Sequence, residues 1–274
     1  MTRIQIVSPE SLRGYVPNHL LSLSHDSKRD RSFALQAESD GIRSGAVLTS
    51  ITPDGQSGLI RHLHVLEPFR ELGIGNQLLH EAESRLEQAG CKVSYVEITE
   101  NEGGHGRRFY FNRGYSIDQT LFHQFTFRMP ESLDKEEEWL RLTELPDGYE
   151  LIDWAEIENR VALDPLADSE LSKGLTYHGQ LVGWQSIQRI ATNMLLFRTL
   201  HAEANHRMFG QGIALACEMI RRHALHTQYR YIRMAVAASN KPMLRFIHKR
   251  LHHHMIHRKT SLRLRKPLSL REYG

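Results

Sequence analysis

Arg61-His-Leu-His-Val-Leu-Glu-Pro-Phe-Arg-Glu-Leu-Gly-Ile-Gly75 is the stretch on which the reading of this 274-residue chain turns. It passes from an apolar strand, Leu59–Leu66, through a glycine turn into a helix, Asn76–Ala89. Leu78, Leu79, Ala82, Leu86 and Ala89 share one face of that helix, and Gly90 follows as its C-cap. Such a turn is an anion site. Gly73 and Gly75 allow close approach of a ligand and positive φ, so successive N–H groups can point into one concavity. The helix N-terminus adds partial positive charge and Arg70 a full one. A pyrophosphate is the expected guest. The chain has neither GxxxxGK[ST] nor a GxGxxG closing a βαβ unit, so this is not one of the common nucleotide loops.

Working outward, the stretch recurs. Arg198-Thr-Leu-His-Ala-Glu-Ala-Asn-His-Arg-Met-Phe-Gly-Gln-Gly212 matches it at a constant offset of 137, with Arg61/Arg198, Leu63/Leu200, His64/His201, Arg70/Arg207, Gly73/Gly210 and Gly75/Gly212 identical. Arg108-Phe109 and Arg245-Phe246 keep the offset. This is an internal repeat. Each copy reads as mixed α/β. The first has strands Ile4–Val7, Phe33–Glu38, Ile42–Ile51 and Val93–Thr99, helical stretches around Ser11–Leu23 and Arg107–Asn112, and the turn signal Asp40-Gly41. The second has strands Tyr149–Asp153, Met194–His201 and Tyr231–Ala237, a strand pair broken at His178-Gly179, and helices Trp154–Ala162, Ile213–Leu225 and Lys241–Leu251. A charged segment with two prolines, Pro130–Asp147, separates them. The expected domains are 1–130, a linker 131–147, and 148–274.

Val65 to Gly75 followed by Asn-Gln-Leu-Leu resembles the acetyl-CoA-binding motif of the GNAT superfamily of N-acyltransferases, and Arg108-Phe-Tyr-Phe-Asn-Arg-Gly-Tyr115 is similar to its downstream aromatic signature. The resemblance covers about residues 25–130 well and 175–255 more faintly. It implies two GNAT folds in tandem, α/β with a mixed sheet, and acetyl-CoA as co-substrate. It also implies that the strand at Leu63 and Val65 bonds the pantetheine arm. The turn residues Arg70, Glu71, Leu72, Gly73, Ile74 and Gly75 hold the pyrophosphate, and Tyr110 protonates the departing thiolate. At Tyr110 the second copy has Ile247, which has no proton to give, and at Gly114 it has Leu251. It keeps Asn240, a helix-capping or cofactor-bonding position in the family, where the first copy has Gly103. The first copy is therefore expected to be catalytic and the second degenerate.

Direct acyl transfer to an amine needs a base for the amine and an acid for the thiolate. His62 and His64 alternate with Leu63 and Val65 and share a strand face. A histidine near neutrality suits general-base work, and His62 is the first candidate. His64 recurs as His201 and reads as structural. Glu97 is the rival, as a mid-strand carboxylate expected to be buried with a raised pKa.

The composition is that of a soluble globular protein, with 40% hydrophobic and 24% charged residues. Two cysteines, Cys91 and Cys217, give neither a disulfide framework nor a zinc site. The histidine tract His252–His254 with His257 reads as solvated basic surface, so no metal is expected. No run is long enough to span a membrane, and the start, MTRIQIVSPE, has no apolar leader core, so a cytoplasmic protein is expected. Residues 1–138 carry 15 Lys/Arg against 20 Asp/Glu, whereas 220–274 carry 14 basic residues, seven histidines and a single acid, Glu272. That asymmetry keeps open an aminoacyl-tRNA-dependent transferase, although aromatic side chains do not interleave the basic ones. A non-catalytic acyl-CoA-binding protein is also open. The leading expectation is N-acetyl transfer to the primary amine of a small molecule by a monomer or homodimer.

Overall fold

The computed structural model describes residues 2–17, 31–101, 105–130, 140, 143–157, 164–207, 211–224 and 228–268. The chain divides into two compact units, Met1–Thr120 with Ser261–Gly274, and Leu121–Thr260. These limits differ from expected breaks near 130 and 148. The reason lies in two long strands, β6 (Ser116–Arg128) and β12 (Met255–Pro267), each of which starts in one unit and ends in the other. The last strand of the chain thus completes the first unit.

In the first unit the strands are β1 (Thr2–Val7), β2 (Arg31–Ser39), β3 (Ile42–Ile51), β4 (Ser57–Val65) and β5 (Val93–Asn101), in spatial order β1-β2-β3-β4-β5-β12. The first three pairings are antiparallel, and β4 with β5 is parallel. Helix α1 (Ile74–Gln88) makes the crossover between β4 and β5, and α2 (His105–Phe111) follows β5. Asp40 and Gly41 both take positive φ, 50° and 78°, as the two-residue hairpin turn between β2 and β3 requires. The core joins Leu35, Val47 and Ile60 of the sheet to Leu78 and Leu79 of α1 and to Leu262 and Leu264 of β12. The helix expected over Ser11–Leu23 is a short 3-10 turn, Pro9–Leu12, and residues 18–30 lie outside the described part.

The second unit repeats this order with β7 (Tyr149–Asp153), β8 (Lys173–Tyr177), β9 (Gln180–Ala191), β10 (Met194–Ala202) and β11 (Tyr231–Ala237), followed in space by β6. Its helices are α3 (Trp154–Ile157), α4 (Ala204–Arg207), α5 (Gln211–Ala224) and α6 (Lys241–Phe246). His178 and Gly179, at φ 47° and 79°, form the same hairpin turn as Asp40 and Gly41. After α6 the helix widens to a π turn, Ile247–Leu251, and His252–His254 form a 3-10 turn.

Both units share a finer irregularity. In β4, Leu48 opposes His62 and Thr49 opposes Ile60, which leaves Arg61 as a bulge. In β10, Ser186 opposes Thr199 and Ile187 opposes Phe197, which leaves Arg198 as a bulge. The extra residue explains why Ile60 and Leu63, three apart, both face the same core. Just beyond each bulge the central parallel strands stop pairing. β4 and β5 pair over Ser57–Ile60 and Val93–Val96, β10 and β11 over Met194–Phe197 and Tyr231–Met234, while all four strands run on. Each unit therefore has a sheet that parts in the middle.

Candidate active site

In the first unit, β4 delivers the chain to a short 3-10 turn, Glu67–Phe69, and then to the glycine turn. Glu71 and Gly73 take positive φ, 66° and 81°, and Gly73 is the N-cap of α1. Among the described residues no backbone carbonyl accepts from the amides of residues 71–75, and the first donor of the helix is Asn76, bonded to Gly73. A Cβ on Gly73 would meet nothing within 4 Å, so the position opens outward. Five N–H groups without a backbone acceptor thus stand at a helix start, beside an open face.

Gly75 departs from that expectation. It does not have positive φ, and a Cβ there would sit 3.4 Å from the Phe109 ring and 3.6 Å from Val65. Those are ordinary contact distances, so α1 starts packed against β4 and α2 at this residue. Arg70 is exposed and donates from Nε to the Val65 carbonyl at 3.2 Å, bracing the turn. Leu72 is exposed, and Ile74 anchors the turn to the core.

Tyr110 lies in α2, buried with its ring edge-on to Phe109 at 5.0 Å and to Tyr115 at 5.5 Å. It belongs to the cluster on which Leu63 and Val65 pack. Burial pushes its phenol up to about 12, against a smaller pull down from the Arg113 guanidinium. The hydroxyl therefore keeps its proton across the physiological range. Arg113 is fixed over the Phe109 ring, 3.7 Å from its centroid, and donates to the Phe109 carbonyl. Neighbouring Tyr115 bonds Ser94 at 2.8 Å, and burial, with Glu83 beside it, raises its pKa further still.

His62 and His64 occupy the opposite face of β4, with rings 6.0 Å apart and nearly parallel. His62 Nε2 donates to the Tyr15 carbonyl at 3.1 Å, which places the proton on Nε2 and the lone pair of the neutral ring on Nδ1. Glu97 differs from expectation. It is exposed and gripped by Arg263, which donates to it at 2.8 and 3.2 Å. The reason is that β12, remote in sequence, supplies Arg263 beside β5, so the carboxylate is neither buried nor unpaired.

One residue escaped the sequence reading. Glu100, at the end of β5 and buried, accepts from the Arg107 backbone N–H at 3.3 Å and meets the Arg107 side chain at 3.5 Å. It stands near the start of α2, and an acid about seven residues before a helix's first turn was the available signal. Gly103, whose place in the helix start was in question, lies outside the described residues. In the second unit Asn240 caps α6, its side-chain oxygen accepting from Met243 N at 3.2 Å, while Ile247 stands fully buried at the position of Tyr110. Gly210 and the side chain of Arg207 lie outside the described part. Among the described residues no cluster of three metal-ligating side chains occurs, and no helix is long and apolar enough to cross a membrane.

Residues 5–115 match the model of the Acetyltransferase (GNAT) family. The whole chain superposes on a tandem GNAT protein from the clavulanic acid biosynthesis pathway, with TM-score 0.67, 13% identity and coverage of 98% of this chain and 99% of that one. The chain has a tandem GNAT fold, and the stretch similar to the family model lies within its first unit. Further likenesses are to a GCN5-related N-acetyltransferase from Sphaerobacter thermophilus, with TM-score 0.55, 14% identity and 97% and 96% coverage. A probable N-acyltransferase from Enterococcus faecalis V583 gives TM-score 0.56, 12% identity and 98% and 73% coverage. No curated protein sequence matches it significantly. The glycine turn of the first unit lies within the stretch that matches the family model.

Proposed function

We propose that the first unit transfers the acetyl group of acetyl-CoA to a primary amine of a small molecule by direct attack, and that the second unit has lost this chemistry. The observation that carries the reading is Tyr110, a buried phenol held neutral in the helix that packs against the cofactor strand. The amine nitrogen attacks the thioester carbonyl carbon, the C–S bond breaks, and the Tyr110 hydroxyl gives its proton to the sulfur. The nitrogen loses one proton, with His62 as the proposed acceptor, directly or through water. The products are the N-acetyl amide and CoA thiol. Tyr110 recovers its proton from solvent. The amides of residues 71–75 hold the pyrophosphate, and Leu63 and Val65, on the strand that parts from β5, bond the pantetheine arm.

The test is a thiol-release assay with acetyl-CoA against a panel of amino acids, polyamines, aminoglycosides and other small amines. Release that needs both acetyl-CoA and an amine supports the reading. Release from no amine, with acetyl-CoA still bound, would replace it with a binding protein.

A further inference from the structure

The second unit gathers positive charge at one place on its sheet. From Lys241 to Thr260, twenty residues hold six Lys or Arg and five His, with no Asp or Glu. Three of these side chains act on one half-buried imidazole, His123 of β6: Lys241 at the start of α6, His248 in the π turn and Arg258 of β12. Arg258 donates to His123 Nδ1 at 3.2 Å, and Thr260 Oγ1 lies 3.1 Å from the same nitrogen. Because arginine only donates, Nδ1 holds the lone pair of the neutral ring and Nε2 its proton. That Nε2–H has no acceptor among the described residues. The Arg258 guanidinium lies 5.8 Å from the Phe125 ring centroid, and its Nε is buried without an acceptor. Burial, then Arg258, His248 and Lys241, hold the His123 imidazole below its ordinary pKa. Among the described residues no carboxylate bonds Lys241, His248 or Arg258, although acids of this unit pair with Arg189, Arg198, Arg221 and Arg222. The three are peculiar to this copy, since the constant offset matches them to Gly104, Phe111 and Leu121. β11 separates β6 from β10, so His123 does not stand on the parted strands. Cations gathered without counter-charge repel one another until an anion joins them.

We infer that the second unit has a phosphate-binding site in which His123, Arg258, His248 and Lys241 hold the oxyanion. A phosphate group suits this set because its oxygens accept from several N–H donors at once, and arginine and lysine bind it with full charge. The His123 Nε2–H adds a neutral donor, and the bound anion offsets the cations around the ring. The phosphate arrives either as a small free anion or as one group of an RNA strand, for which exposed Arg245, Lys249 and Arg250 on the same segment supply further charge. The inference goes beyond acyl transfer and does not depend on it.

The test is NMR of the His123 ring in the full chain, assigned with His123→Asn. Inorganic phosphate is added at neutral pH, and sodium chloride at matched ionic strength. Phosphate is expected to shift the ring resonances saturably, and chloride is not. Sulfate, which stays a dianion across the titration, is expected to raise the His123 pKa, since an anion beside the ring favours its protonated form. Arg258→Gln is expected to weaken phosphate binding about tenfold, the worth of one hydrogen bond between charged groups. Lys241→Gln, at an exposed position that leaves the sheet untouched, is expected to weaken it as well. A short single-stranded oligoribonucleotide is the second probe. If it shifts His123 at far lower phosphate concentration than the free ion, and loses affinity steeply with salt, the phosphate belongs to RNA. If it does no better than the free ion, the ligand is a small phosphate; either result keeps the site. No saturable shift with either probe, a shift that chloride reproduces, or binding unchanged in both variants would overturn the inference.

Discussion

Two units built from one repeat present the same strand bulge, the same parted strands and a helix in the same place behind a matching glycine motif, yet they differ in the side chains behind those strands. In the first, Leu79 and Tyr110 occupy the core behind β4. In the second, a cavity behind β10 is lined by Ala216, Ile220 and Met234, and Ile247 is fully buried. The lesson is that the backbone frame and the chemistry mounted on it change separately. The bulge and the parting of the strands need main-chain geometry, which many side chains satisfy. Proton donation needs one hydroxyl at one place, and a single exchange removes it.

The largest effect expected from that comparison is at Tyr110. A positioned general acid contributes about 10²- to 10⁴-fold, so Tyr110→Phe should lower kcat by that order while the KM for acetyl-CoA stays nearly constant. The phenol acts while protonated, and burial holds it up to about 12. Its contribution is therefore present at all lower pH and is lost as pH rises through that value. The alkaline limb of kcat in the parent protein should not appear below about pH 11 on account of this group. A limb near pH 9 that vanishes in Tyr110→Phe would show a phenol that ionises far more readily, and the assignment would fail. The reverse exchange, Ile247→Tyr, should confer no turnover on the second unit, because residue 247 opens a π turn whereas Tyr110 lies within an α-helix.

The next effect concerns which residues make a unit. Leu264 is fully buried in the first unit's core although it comes from the last strand of the chain. Leu264→Ala should destabilise by about 2–5 kcal/mol, as for other buried leucines. Hydrogen exchange should show the loss in α1 and β5 of the first unit while the core of the second stays protected. If the loss falls instead on the second unit, the chain folds as two contiguous halves and the unit limits at 120 and 260 are wrong. Lys266, bonded to buried Glu83 at 2.6 Å, ties the same strand to α1.

Much of this was legible beforehand and some was not, for reasons that lie in particular residues. The glycine turn could be read because Gly73 needs positive φ, and the hairpins because Asp40-Gly41 and His178-Gly179 are local turn chemistry. Tyr110 was legible through its motif. The partner of Glu97 was not, since Arg263 is 166 residues away and its approach depends on the last strand entering the first unit. The bulge at Arg61 was hidden because strand alternation was assumed to be unbroken, although apolar Ile60 and Leu63 at a spacing of three break it. Gly75 was misjudged in its backbone, which does not take the positive φ that Gly73 does.

A smaller effect sharpens the comparison at the turn. Gly73→Val forces a branched side chain to φ 81°, at roughly 1–2 kcal/mol for a left-handed non-glycine residue. The KM for acetyl-CoA should rise about tenfold through relaxation of the cradle, with kcat largely retained. Gly210→Val should leave that KM unchanged. Equal effects from both would mean that the two turns serve one reaction.

The smallest effect is at the two helix starts. Asn240 caps α6 by accepting from Met243 N, whereas the first unit lacks an asparagine at the matching place and sets the Glu100 carboxylate near the start of α2. A neutral cap and a carboxylate can both satisfy early N–H groups of a helix, and the carboxylate also meets the positive end of the helix dipole. Asn240→Ala should cost about 1 kcal/mol, seen as faster exchange of the α6 amides with acetyl-CoA turnover unchanged. If turnover falls with it, the second unit contributes to the reaction of the first, and the division of labour between the copies has to be redrawn around Asn240.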